Sequence, residues 1–215
     1  MVQIISIEAA AAMVKEGMRI MVPGFLAVGT AEKLVDALVA ANTGNLTLIA
    51  ISTAYEGKGS GKLVVNKQVK KAIVSYIGAN PESGRQFAAG ELEVEFVPQG
   101  TLVERIRCGG MGLGGVLTPT GVGTEVEAHK EKIEIDGRTY LLEKRLRADV
   151  AFLKAKKADK AGNLVFHRAA RNINPIMGPA ADITIVQADE IVEIGMLDPD
   201  EVMMPGIFVD YLVQG

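Results

Sequence analysis

Short apolar blocks recur along this chain, and each is cut off by glycine or proline. Arg19 to Val22 stops at Pro23-Gly24, and Leu46 to Ile51 runs into the glycine-bearing stretch Ser52 to Gly61. Ala72 to Ile77 meets Gly78 to Gly84, and Leu92 to Val97 meets Pro98-Gln99-Gly100. Apolar runs this short, bounded by turn formers, predict strands. The intervening segments are rich in helix formers. Ile7 to Glu16 predicts a helix halted by Gly17, Ala31 to Ala41 predicts one capped by Thr30, and Thr101 to Cys108 predicts another.

Alternating strands and helices predict an α/β fold: an open, mostly parallel sheet with helices on both faces. In such a sheet the loops leaving the strands gather at the carboxyl edge, where ligands bind. Pro23–Gly29, Ser52–Gly61, Gly78–Gly84 and Pro98–Gly100 are therefore expected to converge. Past Cys108 the pattern changes. Gly109 to Gly123 is so rich in glycine that it reads as a long ordered loop. Lys132 to Glu143 alternates around Asp136-Gly137, a type I′ hairpin signal. Asp149–Ala155, Asn163–His167, Asp182–Ala188 and Ile207–Val213 predict further strands, which makes the sheet mixed. No linker or internal repeat divides residues 1–215, so one domain is expected.

Composition narrows the partners. Of 215 residues, 48% are hydrophobic and 23% charged, as in a chain with a packed core. A net charge of -3, with the densest basic stretch (Lys154 to Lys157) interrupted by Ala155, argues against a nucleic-acid partner. Met1 to Ala12 lacks the charged start of a targeting segment, and the longest apolar run, Ile20 to Val28, is far shorter than the roughly 18 residues of a membrane span. One cysteine, Cys108, fits a reducing compartment, so a cytoplasmic protein that does not enter a membrane is expected.

Familiar chemical signatures are missing. Gly57 to Leu63 imitates a phosphate-binding loop, but Glu56 stands where its first glycine must be and Leu63 where its metal-binding hydroxyl would be. Gly110, Gly112 and Gly115 match a dinucleotide fingerprint without the strand that must precede it. His129, His167 and Cys108 form no metal-ligand cluster, and no nucleophile with its base is discernible. Glu56, Glu82 and Glu91 near the loop edge read as solvated surface.

Three stretches nonetheless resemble one family. Residues 69 to 124, which contain Gly90-Glu91-Leu92-Glu93-Val94-Glu95 and Pro98-Gln99-Gly100-Thr101-Leu102, look like the central block of the class I 3-oxoacid coenzyme A transferase alpha chains. Residues 16 to 31 echo that family's opening motif, and residues 148 to 177 are similar to it again. The resemblance implies a subunit that helps move coenzyme A between an acyl thioester and a short-chain carboxylate of the acetoacetate, acetate or butyrate class. It implies a nucleophilic glutamate on a beta subunit, which agrees with the lack of a Ser-Glu-Asn-Gly setting here. No catalytic residue is then expected in this chain, no metal and no tightly bound cofactor, with coenzyme A as co-substrate and an α2β2 or larger assembly.

The resemblance places the coenzyme A site at Pro23, Gly24, Phe25, Leu26, Ala27, Val28 and Gly29. A strand-to-helix turn with two glycines lets backbone N–H groups approach a thioester oxygen or phosphate, and Phe25 has no local reason to stand in a loop. Gln99 and Gly100 are assigned to substrate or oxyanion binding, because an amide NH2 can orient a carboxylate without entering the proton chemistry. The alternative role for Gln99 is to cap the following helix. Pro23 lacks an N–H where the family has glycine, Ala31 replaces a proline, and Ile51-Ser52 stands where relatives carry polar asparagine. The competing reading is a non-catalytic module binding coenzyme A or a sugar phosphate on a related fold.

Overall fold

A computed structural model describes residues 1–215. Strand β1 (Gln3–Ile4) leads into helix α1 (Ile7–Met13), then β2 (Arg19–Met21), α2 (Glu32–Ala41), β3 (Leu46–Ile49), α3 (Gly61–Val65), β4 (Val69–Val74), α4 (Pro81–Ala88), β5 (Glu93–Phe96) and α5 (Gln99–Gly110). The second half supplies β6 (Gly115–Thr118), β7 (Lys132–Ile135), β8 (Arg138–Lys144), β9 (Ala148–Asp159), β10 (Leu164–Val165), α6 (Asn174–Met177), β11 (Ala181–Val192) and β12 (Tyr211–Gln214).

The main sheet runs in the order β1-β12-β11-β9-β2-β3-β4-β5, every neighbouring pair parallel. Its one antiparallel member is β10, paired with β9. The other antiparallel strands, β6, β8 and β7, form a separate three-stranded sheet. The mixed character expected of the second half is confined to these. Strand side chains alternate between faces. Ile20, Leu48, Ala72 and Phe152 enter the core beneath α1 and α2, while Met21, Ile49, Ile73 and Leu153 enter the core beneath α5 and α6. No helix is long and apolar enough to cross a membrane.

Several local expectations need correction. Helix α1 ends at Met13, because Val14 turns to extended backbone, and Gly17 (φ 79°) serves the turn beyond it. Thr30 does not cap α2: its hydroxyl donates to the Pro23 carbonyl at 2.9 Å, and the helix starts at Glu32. The glycine-rich stretch after Cys108 is not one long loop. Helix α5 continues through Gly110, and Gly115 begins β6. Some of these glycines serve close packing: a Cβ on Gly109 would lie 2.1 Å from the Leu146 carbonyl, and one on Gly115 2.5 Å from that of Glu143. Of Ile207 to Val213 only Tyr211 onward is strand, and Asn163 to His167 contributes only Leu164–Val165. The Asp136-Gly137 turn is as read, with φ of 51° and 73°, the positive pair that type I′ demands.

Candidate functional site

Four parallel strands deliver four loops to one edge, and there they meet. A cavity of about 140 Å³ takes Phe25 and Leu26 from the loop after β2, Ile51 and Ser52 from that after β3, Ser75 and Tyr76 from that after β4, and Gln99 from the start of α5. A larger cleft of about 660 Å³ shares Phe25 and Leu26 and continues past Val28 to Tyr55 and Lys58. On the other side Gln99 and Gly100 border a third cleft of about 650 Å³, whose far wall is β6.

Local sequence explains the first loop. Phe25 and Val28 exchange backbone hydrogen bonds of 3.0 and 3.1 Å, making a tight hairpin with Leu26-Ala27 at its tip. Gly24 (φ 147°) enters this turn, and Leu26 adopts φ 56°. A Cβ at Gly24 would lie 2.3 Å from the Thr30 hydroxyl that closes the base of the hairpin. Phe25 and Val28 each remain 54% exposed, so the hairpin presents its apolar side chains outward. The N–H groups of Gly24, Leu26, Ala27 and Gly29 donate to no acceptor within the chain. Only Leu26 and Ala27, at the tip, are adjacent among these donors, because the Phe25 and Val28 N–H groups bond across the hairpin. Pro23 contributes only its carbonyl, taken by Thr30.

A second hairpin, Tyr55 to Lys58, faces the first across the larger cleft. Glu32, at the start of α2, holds the far side of the second hairpin: its carboxylate accepts from the Gly59 N–H at 2.9 Å and pairs with Lys62 at 2.7 Å, while Lys62 also pairs with Asp36 at 2.6 Å. Burial works against the Lys62 ammonium, yet its hydrogen bonds to Asp36 and Glu32 outweigh that and hold its pKa above the ordinary lysine range.

Gln99 is the first residue of α5 and is exposed; its side chain makes no hydrogen bond, and the helix carries no side-chain cap. The capping alternative is thereby removed. Further along α5, Arg105 pairs with Glu95 at 2.9 Å. Burial opposes the charge on Glu95, but Arg105 and Lys71 overcome it and keep its carboxyl below the usual range. Buried Glu143 of β8 accepts from Lys130 and lies 3.9 Å from Arg105, which brings the small sheet up to this cluster.

The pattern along the chain did not single out Tyr55, Tyr76, Glu32 and Lys62, nor two asparagines behind the first hairpin. Asn172 donates to the Val28 carbonyl at 2.9 Å and Asn174 to that of Gly29 at 3.0 Å. Two amide side chains close together ahead of Pro175 are the only local signal for them. His129 and His167 lie exposed on the surface, no group of three metal-ligating side chains exists, and Cys108 is buried.

Comparison with known proteins identifies the family and the fold. The family model described as coenzyme A transferase matches residues 4–215. The acetate CoA-transferase subunit alpha of Escherichia coli K12 is 50% identical over 211 residues, covering 98% of this chain and 96% of its own. The acetoacetyl-CoA:acetate/butyrate CoA transferase alpha subunit of Clostridium acetobutylicum is 52% identical over 200 residues, covering 93% and 92%. Among solved structures, glutaconate coenzyme A-transferase of Acidaminococcus fermentans superposes with a TM-score of 0.88 at 20% identity, over 99% of this chain and 75% of that one. An acyl-CoA transferase of E. coli O157:H7, solved as a thioester complex with CoA, gives 0.86 at 22% identity; this chain spans all of its own length and 47% of that longer chain.

Proposed function

The chain belongs to the coenzyme A transferase family, as an alpha subunit of the class I type, and from that membership we propose that its carboxyl-edge loops bind the thioester and its reacting oxygen while a beta subunit supplies the nucleophile. The enzyme is a short-chain acyl-CoA:carboxylate CoA-transferase, and this chain is one part of a heteromer. The observation that supports the site assignment is that loops from four parallel strands bring Phe25, Leu26, Ile51, Ser52, Ser75, Tyr76 and the unbonded Gln99 amide around one cavity with no glutamate in its lining.

In the reaction a partner glutamate attacks the acyl thioester, forming an acyl-glutamyl anhydride and releasing the coenzyme A thiolate. The thiolate returns to the anhydride, frees the first carboxylate and leaves coenzyme A on the glutamate as a thioester. The second acid then runs the same steps backward. Each attack places negative charge on a former carbonyl oxygen, and donors fixed in advance around that oxygen lower the barrier. The Leu26 and Ala27 N–H groups at the hairpin tip and the Gln99 NH2 are assigned this task, or that of holding a carboxylate in line, with Gly24 and Gly29 shaping the turn. Gly100 shapes the neighbouring cleft. Phe25, Leu26 and Val28 line the path of the coenzyme A arm, and Ile51 and Ser52 the acyl pocket.

Residues 1–215 act as one domain in a cytoplasmic α2β2 or larger assembly, with coenzyme A as a co-substrate and no resident cofactor. The test is coexpression with a class I beta subunit, then a CoA-transfer assay over C2 to C6 acids. Transfer by the heteromer and none by either chain alone is expected. Robust turnover by this chain alone, with no second polypeptide by mass spectrometry, would overturn the division of labour.

A further inference from the structure

The acyl cavity opens on two sides. Phe25 and Leu26 line both it and the cleft that runs past Val28 to Tyr55 and Lys58, while Gln99 lines both it and the cleft between α5 and β6. The two clefts have no lining residue in common, so they are separate approaches to one chamber.

Their walls differ. Phe25, Leu26, Val28 and Tyr55 give the first an apolar surface suited to a long flexible arm. The second is lined by Gln99, Gly100, Thr101, Thr118 and Thr120 among others, and its one charged residue, Glu104, is held by Arg107 at 2.5 Å. The N–H groups of Gln99, Gly100 and Thr101 open the 12-residue helix α5 and donate to nothing in the chain; Leu102 is the first to find an acceptor, the Pro98 carbonyl at 2.9 Å. Thr101 is 4% exposed, lines the cleft, and carries a hydroxyl with no hydrogen-bond partner. Free amides at the positive end of a helix favour a small anion, and a buried hydroxyl left unpaired gains from a ligand that pairs with it.

The order of events requires a second approach. Once the first carboxylate is freed, coenzyme A stays joined to the partner glutamate as a thioester, and its arm still fills the approach by which acyl-CoA came in. The outgoing acid and its replacement need another way past. We propose that free monocarboxylates leave and enter the acyl cavity through the α5–β6 cleft, past Gln99, drawn by the first amides of α5 and the Thr101 hydroxyl, while the coenzyme A arm stays in the other cleft. This rests on the transferase reading above and on its placing of that arm along Phe25, Leu26 and Val28.

The experiment uses the coexpressed heteromer with Thr120→Trp or Thr118→Trp in this chain to fill the α5–β6 cleft, and Gly57→Trp to crowd the other, where nothing lies within 4 Å of the Cβ position. Thr120 is exposed, so its replacement leaves the fold intact. The enzyme is mixed with butyryl-CoA and freed of small molecules, leaving the thioester on the partner subunit; acetate or hexanoate is then added and loss of the thioester is followed by intact mass. That rate is read only from molecules carrying the thioester, so an unfolded fraction does not alter it. Both threonine variants are expected to lose the thioester about tenfold more slowly than the parent, hexanoate being hindered more than acetate, with KM for acyl-CoA within about twofold. Gly57→Trp is expected to do the reverse, raising KM for acyl-CoA and leaving the acid step unchanged. Parental rates in both threonine variants, or equal slowing of the acid step by Gly57→Trp, would overturn the inference and leave the transferase reading standing. A parent heteromer that forms no such thioester would overturn both.

Discussion

Gln187, in the middle of β11, caps helix α2: its Oε1 accepts from the N–H of Lys33 at 3.1 Å and from that of Leu34 at 3.4 Å. The first amides of a helix need acceptors, and Thr30 has been diverted to the base of the hairpin. Gln187→Leu keeps the bulk and removes the acceptor. It is expected to destabilise the chain by about 1–2 kcal/mol, within the range for lost caps, read as a lower melting temperature.

Gly29→Ala is expected to cost both stability and turnover. The residue sits at φ 86° with the Ala170 carbonyl in the way of a side chain, and strain of this order is worth roughly 1–3 kcal/mol. Gly57→Ala is the matched control, because nothing lies within 4 Å of its Cβ position. That variant should melt within about 0.5 kcal/mol of the parent.

Gln99→Ala removes an exposed amide that makes no hydrogen bond within the chain. Stability is expected to be unchanged, since no cap is lost. If the amide faces charge developing in acyl transfer, kcat falls by about a hundredfold to a thousandfold, or 2.7–4 kcal/mol, with KM nearly constant. A change confined to KM would assign it to ground-state binding.

The acyl pocket beside Ile51 contains no lysine or arginine. A second carboxylate buried there would lack a counter-charge, and burying an unpaired charge is costly. Acetate and butyrate are therefore expected to be accepted with kcat/KM at least about tenfold above succinate, a ratio of roughly 1.4 kcal/mol. Equal rates would mean that a cation reaches the pocket from the partner subunit.

Acid stability should depend on a surface cluster at α4. Hydrogen bonds from Arg85, aided by Gln86, hold the Glu82 carboxyl down to about 2, and Arg85 with Lys67 does the same for Glu91, also about 2. Both groups titrate higher in the unfolded chain, near 4.3, so their contribution is present above that pH and is lost as pH falls toward 2. Arg85→Met is expected to flatten the decline of melting temperature between about pH 4.5 and 2, and added salt to shrink the difference, because the cluster faces solvent. An unaltered profile would show that the cluster contributes nothing.

What could be read from the sequence was local. Ile20 and Met21, or Leu48 and Ile49, betray a two-faced strand by being apolar next to each other, and Asp136-Gly137 announces its turn by chemistry alone. The convergence of Phe25, Ile51, Tyr76 and Gln99 followed from parallel topology. Contacts between distant segments were invisible: Gln187 lies 153 residues from Leu34, and Asn172 lies 144 from Val28. Glycines 109 and 115 misled for the same reason. Glycine serves equally for a loose loop and for two backbones pressed together, and only the neighbours Leu146 and Glu143 distinguish these uses.

Cys108 lies 1% exposed on the inner face of α5, the helix whose first residue is Gln99. An alkylating reagent can reach that sulfur only when the packing around the C-terminal half of the helix opens, locally or with the whole chain, so the chain carries an intrinsic clock for that opening. With no other thiol present, the rate of modification in native buffer reports the exposure of that one position in this subunit. A ligand that fastens the start of the helix would slow the clock.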